Sequence, residues 1–243
     1  MLIVTILQFT TLAMKGGAYV YYFENYVSKN SLSDFISPII DFLSSIGINF
    51  FGSDPVSAGF GLFNAGGIIF MIIGIGLSKM LADKYGKRNV FGVFLFISTL
   101  FILVFYVLSP DSINLIFGAQ IFHGFFYGIT IPLLWAMIAD VADYSEWKNN
   151  RRATAIIFSA MMVGLKLGLS IGGALVASIL GSYGYVPNSV GEQTESAILG
   201  TKMLVSIFPS IPFLVAAALL FFYVIDKKME EKIEQDLLKK RKS

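Results

Sequence analysis

Long apolar runs alternate with short charged connections along this chain, and the lengths of those runs set the first expectation. A helix that crosses a bilayer needs about 20 mostly apolar residues. By that measure six spans are expected, at about residues 2–27, 56–78, 90–108, 114–139, 153–181 and 201–225. Two stretches outside the spans carry a pattern of their own. Between the first and second spans, Phe35, Ile39, Phe42, Leu43 and Ile46 share one helical face, which predicts a short helix lying at the membrane interface. The tail, residues 226–243, mixes acids and bases around Met229, Ile233 and Leu237 and predicts a solvated amphipathic helix. The expected fold class is an all-α membrane protein, with a six-helix bundle over residues 1–225.

Composition narrows the function classes. Of the 243 residues, 56% are hydrophobic and 14% charged, too little polar surface for a soluble domain of this length. The absence of cysteine excludes disulfide frameworks, thiolate metal sites and cysteine nucleophiles. No metal site is expected. A net charge of +2 does not suggest nucleic-acid binding. Met1-Leu2-Ile3-Val4 enters an apolar run at once, with no basic segment and no cleavage site, so a secretory signal is not expected. That abrupt start leads instead to the expectation that further protein precedes it.

The connections alternate in sign. Lys79, Lys84, Lys87 and Arg88 follow the second span, Lys148, Arg151 and Arg152 the fourth, and Lys227, Lys228, Lys239, Lys240, Arg241 and Lys242 the sixth. The other connections hold Lys29 with Asp34, Asp41 and Asp54, then Asp111, then Glu192 and Glu195. Basic loops stay on the cytoplasmic side, which places both termini in the cytoplasm.

Within the spans, small residues recur at intervals of four: Gly164, Gly168 and Gly172 in the fifth, and Gly124 and Gly128, then Pro132, in the fourth. Such stripes let a neighbouring helix approach closely. Pro132 is expected to bend its span, and Pro209 and Pro212 to do likewise in the sixth. Helix packing alone explains these features. They also suit helices that rock against one another in a transporter.

Charges in mid-membrane carry more information. Lys166 lies about 14 residues from either end of its span, roughly 20 Å. A lysine so placed costs about 2.5–3.5 kcal/mol to insert and is expected to face a cavity or a partner. Lys15 lies at a similar depth, ahead of Gly16, Gly17, Tyr19, Tyr21 and Tyr22, unless its span begins later than this reading places it. The tyrosines fit either an interfacial belt or a cavity. No carboxylate lies at the depth of these lysines: Glu24 is near the outer end of its span, and Asp140 and Asp143 are at the inner end of theirs. Desolvated cations need anions nearby, so the acids are expected from protein outside this sequence. His123 is expected to pack through hydrogen bonds rather than to transfer protons. Trp135 suits either stacking on a sugar ring or anchoring at the interface.

Two loops carry family motifs. Asp83-Lys84-Tyr85-Gly86-Lys87-Arg88 resembles the major facilitator superfamily loop, with Lys79 replacing the glycine that leads it. The run from Pro132 through Trp135 and Asp140-Val141-Ala142-Asp143 to Lys148 is more specific. Together with Arg151-Arg152, Lys166-Leu167-Gly168 and Gly184-Tyr185-Val186-Pro187-Asn188, it resembles the glycoside–pentoside–hexuronide:cation symporters, the melibiose-permease-like branch of that superfamily. The resemblance covers nearly the whole chain and corresponds to the C-terminal six helices, two three-helix repeats, of a twelve-helix transporter. It implies sodium- or proton-coupled uptake of a sugar or glycoside across a bacterial inner membrane. The main cation ligands are then expected in an N-terminal six-helix half, supplied by the same full-length chain or a separate polypeptide.

The resemblance also implies residue roles. Lys166 matches a lysine bordering the sugar and cation sites, Tyr21-Tyr22-Phe23 fits the seventh helix, and Ile131 stands where a sugar-facing tryptophan is found. Lys166, Lys15, Tyr22, Ile131 and Trp135 are therefore the cavity candidates. Asp83, Arg88, Asp140, Asp143, Arg151 and Arg152 are candidates for cytoplasmic charge contacts that break as two halves rock.

Three other readings compete. One is a non-transporting fragment or membrane subunit. A self-dimer would bring together four central lysines and no central acid. The third is an intramembrane serine hydrolase, since Gly168-Leu169-Ser170-Ile171-Gly172 matches a nucleophile pattern with His123 as its base. That pattern needs a strand-to-helix turn, whereas here it lies inside an apolar helical run.

Overall fold

The computed structural model describes residues 1–48, 54–187 and 193–242, without the side chains of Arg241 and Lys242. Asn188 of the loop motif, Glu192 of the outer connection and the charges of Arg241 and Lys242 lie outside the described residues. Among the described residues, six helices or helix pairs are long and apolar enough to span a membrane. Helices α1 (Leu2–Asn25), α3 (Pro55–Tyr85), α4 (Lys87–Val104), α5 (Ile113–Asn149) and α6 (Thr154–Ser182) each cross in one piece. The sixth span is made of α7 (Glu195–Val205), α8 (Ile207–Leu219) and a 3-10 turn at Leu220–Phe222. Helix α2 (Lys29–Ser45) joins the first two spans, and α9 (Lys227–Lys242) follows the sixth.

The helix starts follow from local chemistry. The Asp54 carboxylate accepts the Ser57 N–H at 2.9 Å, and Pro55, which lacks a donor, occupies the first turn of α3. Thr194 does the same for α7 through Ala197 N–H at 3.2 Å. Between α3 and α4 the chain turns on one residue, Gly86, whose φ of 83° glycine adopts without a Cβ penalty.

Helices α1, α3 and α4 form one three-helix unit, and α5, α6 and α7–α8 form another. Helix α1 packs on α6 and α8, α5 packs on α3 and α4, and α4 meets α8. Exchanging the two units reproduces this set of contacts, and their first helices run in opposite directions, as an inverted repeat requires. The glycine stripes form the seams. A Cβ on Gly168 would lie 2.5 Å from the Ile6 carbonyl oxygen, and one on Gly172 would lie 2.5 Å from that of Thr10. Across the other seam, Gly124 and Gly128 of α5 sit directly against the Gly67 and Met71 carbonyls, while Gly74 of α3 meets that of Phe125.

The structure adds detail to three expectations. Helix α5 runs unbroken through Pro132, whereas the sixth span breaks at Ser206, with φ −124° and ψ −80°, three residues before Pro209. Pro209 removes an N–H, and Ser206 and Ser210 hydroxyls cover the Lys202 and Ser206 carbonyls at 2.6 Å each. Helix α2 buries Leu32 and Ile36 against the bundle. Leu32 fills the space above Gly59, and the Phe35 ring packs 4.9 Å from that of Phe117, leaving Phe42 and Ile46 exposed. The tail is an amphipathic helix whose apolar face is docked. Ile233 and Leu237, each 4% exposed, dock on Val141, Tyr144 and Trp147 of α5, and Trp147 Nε1 donates to Asp236 at 3.0 Å.

Candidate functional site

Two groups of polar side chains stand out against the apolar bundle, one within it and one at its basic end. The first lies between α1, α4, α5 and α8. Gln8, Thr11, Lys15 and Tyr19 follow one another at helical spacing and are all buried. Tyr19 donates to Gln120 Oε1 at 3.1 Å, Gln8 Nε2 donates to Tyr127 Oη at 3.4 Å, and the Thr11 hydroxyl donates to the Pro209 carbonyl at 2.8 Å. His123 Nδ1 lies 2.8 Å from the Ser98 hydroxyl, and its ring stacks on Tyr127 at 5.8 Å, which is the packing role expected of it.

Lys15 is 5% exposed, with its ammonium 5.3 Å from the centre of the Tyr19 ring. Its surroundings therefore come from this bundle, not from protein outside the chain. The negative face of an aromatic ring gives a cation partial compensation. Tyr22 also turns inward. It is fully buried among Phe23, Phe105 and Tyr26, and its hydroxyl has no hydrogen-bond partner among the described residues. As placed, Tyr22 belongs to the aromatic core rather than to an open cavity.

Lys166 does the opposite. Helix α6 gives Gly164, Gly168 and Gly172 to the seam with α1, and Lys166 points away from that seam. It is exposed, and no hydrogen bond or ion pair joins it to another described residue. Twelve residues separate it from Thr154 and sixteen from Ser182, or about 18 and 24 Å of helix. Ile131 and Trp135 on α5 are half-buried and pack against the core that holds Leu134 and Phe213. Ser170 also lies on the exposed side of an unbroken α6, and His123 is committed to Ser98. The hydrolase geometry is absent.

At the basic end, Lys87 sits between two acids, 2.7 Å from Asp140 Oδ1 and 3.0 Å from Glu230 Oε1. Asp140, Asp143, Glu230 and Glu234 line a cleft of 430 Å³ around this lysine. Arg88 Nη1 donates to the Tyr223 carbonyl at 3.0 Å, and the Tyr223 hydroxyl donates to the Met137 carbonyl at 3.1 Å. Lys227 donates to the Asp83 carbonyl at 2.6 Å, while the Asp83 side chain is exposed. Arg151 and Arg152 are exposed as well, and Arg152 lies 3.7 Å from Glu146.

The structure thus brings Asp140 and Asp143 together and leaves Asp83, Arg151 and Arg152 at the periphery. Sequence reasoning missed Lys87 and Glu230 as partners of Asp140. Lys87 was visible in the loop motif, but Glu230 belongs to a tail whose docking only the packing reveals.

An all-helical bundle with inverted three-helix units, charges at mid-span and a charged turn at one end defines a multi-pass membrane protein of the transporter kind. The chain belongs to the MFS/sugar transport protein family, whose profile matches residues 42–227. It is 30% identical over 164 residues to the putative glycoside/cation symporter YagG of Escherichia coli (strain K12), covering 68% of this chain and 35% of that protein. It is also 30% identical over 176 residues to a glucuronide carrier protein homolog of the same organism, covering 70% of this chain and 38% of that one. An uncharacterized 29.9 kDa protein of Pseudescherichia vulneris is 35% identical over 158 residues, covering 65% of this chain and 57% of its own length. The chain thus spans between about a third and just over half of the length of these relatives.

Proposed function

We propose that this chain is one six-helix half of a secondary transporter that moves a sugar or glycoside together with a sodium ion or proton by alternating access. The single observation that carries the reading is Lys166. It is a charge at mid-span, exposed on the outer face of α6, in a chain whose described residues place no carboxylate beside it. A cation left there in lipid alone is costly, and a partner surface bearing acids removes that cost. That surface is the second six-helix half, from the same longer chain or from a separate polypeptide, and it supplies the main ligands of the coupling ion. The printed names of two relatives, a glycoside/cation symporter and a glucuronide carrier homolog, support a sugar-like cargo.

In this reading Lys166 pairs with the partner's carboxylates and responds when cation or sugar binds. Lys15 and Ile131, with Trp135, tune the shape of the cavity wall from within this half. The Lys87–Asp140–Glu230 cluster holds the basic end together as the halves rock, while Asp83, Asp143, Arg151 and Arg152 make and break contacts with the partner. The basic end faces the cytoplasm of a bacterial inner membrane, by the charge of its loops.

The test begins with the DNA on either side of the coding region, read for six further spans with central acids. The assembled transporter is then placed in vesicles and assayed for uptake of labelled glycosides and glucuronides under an imposed sodium or proton gradient. Gradient-driven accumulation is expected in the parent, and loss of accumulation in Lys166→Ala. Full concentrative uptake by Lys166→Ala would overturn the role given to this residue. Lack of any partner half would overturn the reading of the chain.

A further inference from the structure

On the seam between α4 and α8, on different helices from Lys166, lies a groove of 610 Å³ that the packing of the bundle leaves open. Its walls are Gly92 and Phe96 of α4 with Leu214 and Ala218 of α8, and Phe221 stands at its edge, 87% exposed. Small residues make it a trough rather than a ridge: a Cβ on Gly92 would meet only the Leu220 side chain, at 3.6 Å. Its mouth at the basic end is formed by Arg88 and Asn89.

Arg88 is the charge that needs explaining. Its neighbour Lys87 is neutralised by Asp140 and Glu230. Arg88 donates from Nη1 to one backbone carbonyl, and among the described residues no carboxylate lies within ion-pair distance of it. A guanidinium carries five N–H donors in a planar fork that fits a phosphate. From Arg88 to Phe96 the helix rises about 12 Å, close to the roughly 15 Å depth of one leaflet. The groove is thus basic where headgroups lie and apolar over the depth of a single acyl chain.

We propose that this groove holds one anionic phospholipid, its phosphate on Arg88 and one acyl chain between α4 and α8. The site differs from the sugar path, and it requires only that the chain be embedded in a membrane.

The test is lipid retention by the full chain, read by native mass spectrometry after exchange into micelles containing equal phosphatidylglycerol and phosphatidylcholine with matched chains. The parent is expected to retain phosphatidylglycerol preferentially. Arg88→Gln should lower that preference about fivefold, and Arg88→Lys should keep most of it. Ala218→Phe, which fills the trough without touching the charge, should lose the bound lipid of either headgroup. Should Arg88→Gln not be recovered in folded form, Ala218→Phe decides the question. Equal retention of both lipids by the parent means ordinary annular lipid and overturns the proposal, as does unchanged retention in Ala218→Phe. Because no transport is measured, either result leaves the reading of Lys166 to its own test.

Discussion

At Gly172 a single methyl group would lie 2.5 Å from the Thr10 carbonyl oxygen, whereas at Gly173 it would meet nothing within 4 Å. Two adjacent glycines therefore report different physics. Gly172→Ala must push α1 away from α6 and is expected to destabilise the bundle by about 1–3 kcal/mol. Gly173→Ala should be neutral or slightly stabilising, since alanine is the better helix former by up to about 1 kcal/mol. Thermal unfolding of the two variants in the same detergent checks this, and equal losses would show that the seam is looser than drawn. Lys15 gives a second contrast at this scale. It is buried with an aromatic face as its compensation among the described residues, so Lys15→Met should not lower the unfolding midpoint in the same assay. The depth of this lysine was legible in the sequence, but its direction was not, because a lysine in an apolar helix carries no mark of which neighbour it faces.

Among the elements, the tail and α2 form the helices that the sequence leads one to expect, and the structure adds the surfaces on which they dock. Ile233 and Leu237 are the buried anchors of α9 on α5. Ile233→Ala is expected to cost about 2 kcal/mol of docking, which speeds amide exchange of the tail about thirtyfold with little effect on α1 or α6. Exchange that is unchanged would mean that the tail is held by its charges alone. The start of α2 is held differently. The Ser31 hydroxyl donates to Asp111 at 2.7 Å, and hydrogen bonds from Ser31 and then Ser28 keep this carboxyl below the usual aspartate range. Asp54, which caps α3, is lowered in the same way by Ser57, first through its hydroxyl and then through its backbone N–H. A lowered folded value means that the stabilisation is complete above the ordinary value and is lost as pH falls through the folded one. Exchange at the first turns of α2 and α3, corrected for intrinsic rate, should therefore stay flat from neutral pH down to about 4 and rise only below it. Asp111→Asn should abolish that rise at α2 alone.

At the scale of the whole molecule, the absence of cysteine from this chain means that a single introduced cysteine is its one thiol, once any cysteine of the partner half has been replaced. In the assembled transporter, Lys166→Cys should react with a water-soluble maleimide, and bound sugar should slow the reaction, because a cavity is wet where lipid is dry. No reaction would place this face of α6 against lipid or in a dry interface. In sealed, right-side-out vesicles, Asp34→Cys should label from outside and Lys84→Cys only after permeabilisation; the reverse pattern would invert the orientation proposed from the loops.

The sequence by itself determined how many spanning helices the described residues contain and roughly where each lies, which connections are basic, and which glycines form seams. Those are local properties: apolar length, charge between spans, and small residues spaced by one helical turn. It also carried the family, through the Asp83–Arg88 turn and the run from Pro132 to Lys148. It did not show that the helices expected at 56–78 and 114–139 run on to Tyr85 and Asn149. Tertiary structure alone decided that Lys15 and Tyr22 turn inward while Lys166 turns outward, that Lys87 is shared by Asp140 and Glu230, and that the tail docks. The reason lies in the solvent. In water an apolar stripe shows which side of a helix is buried. In a bilayer, lipid and protein neighbours are equally apolar, so a spanning helix is hydrophobic all round, and the choice of face is left to packing between helices distant in the chain.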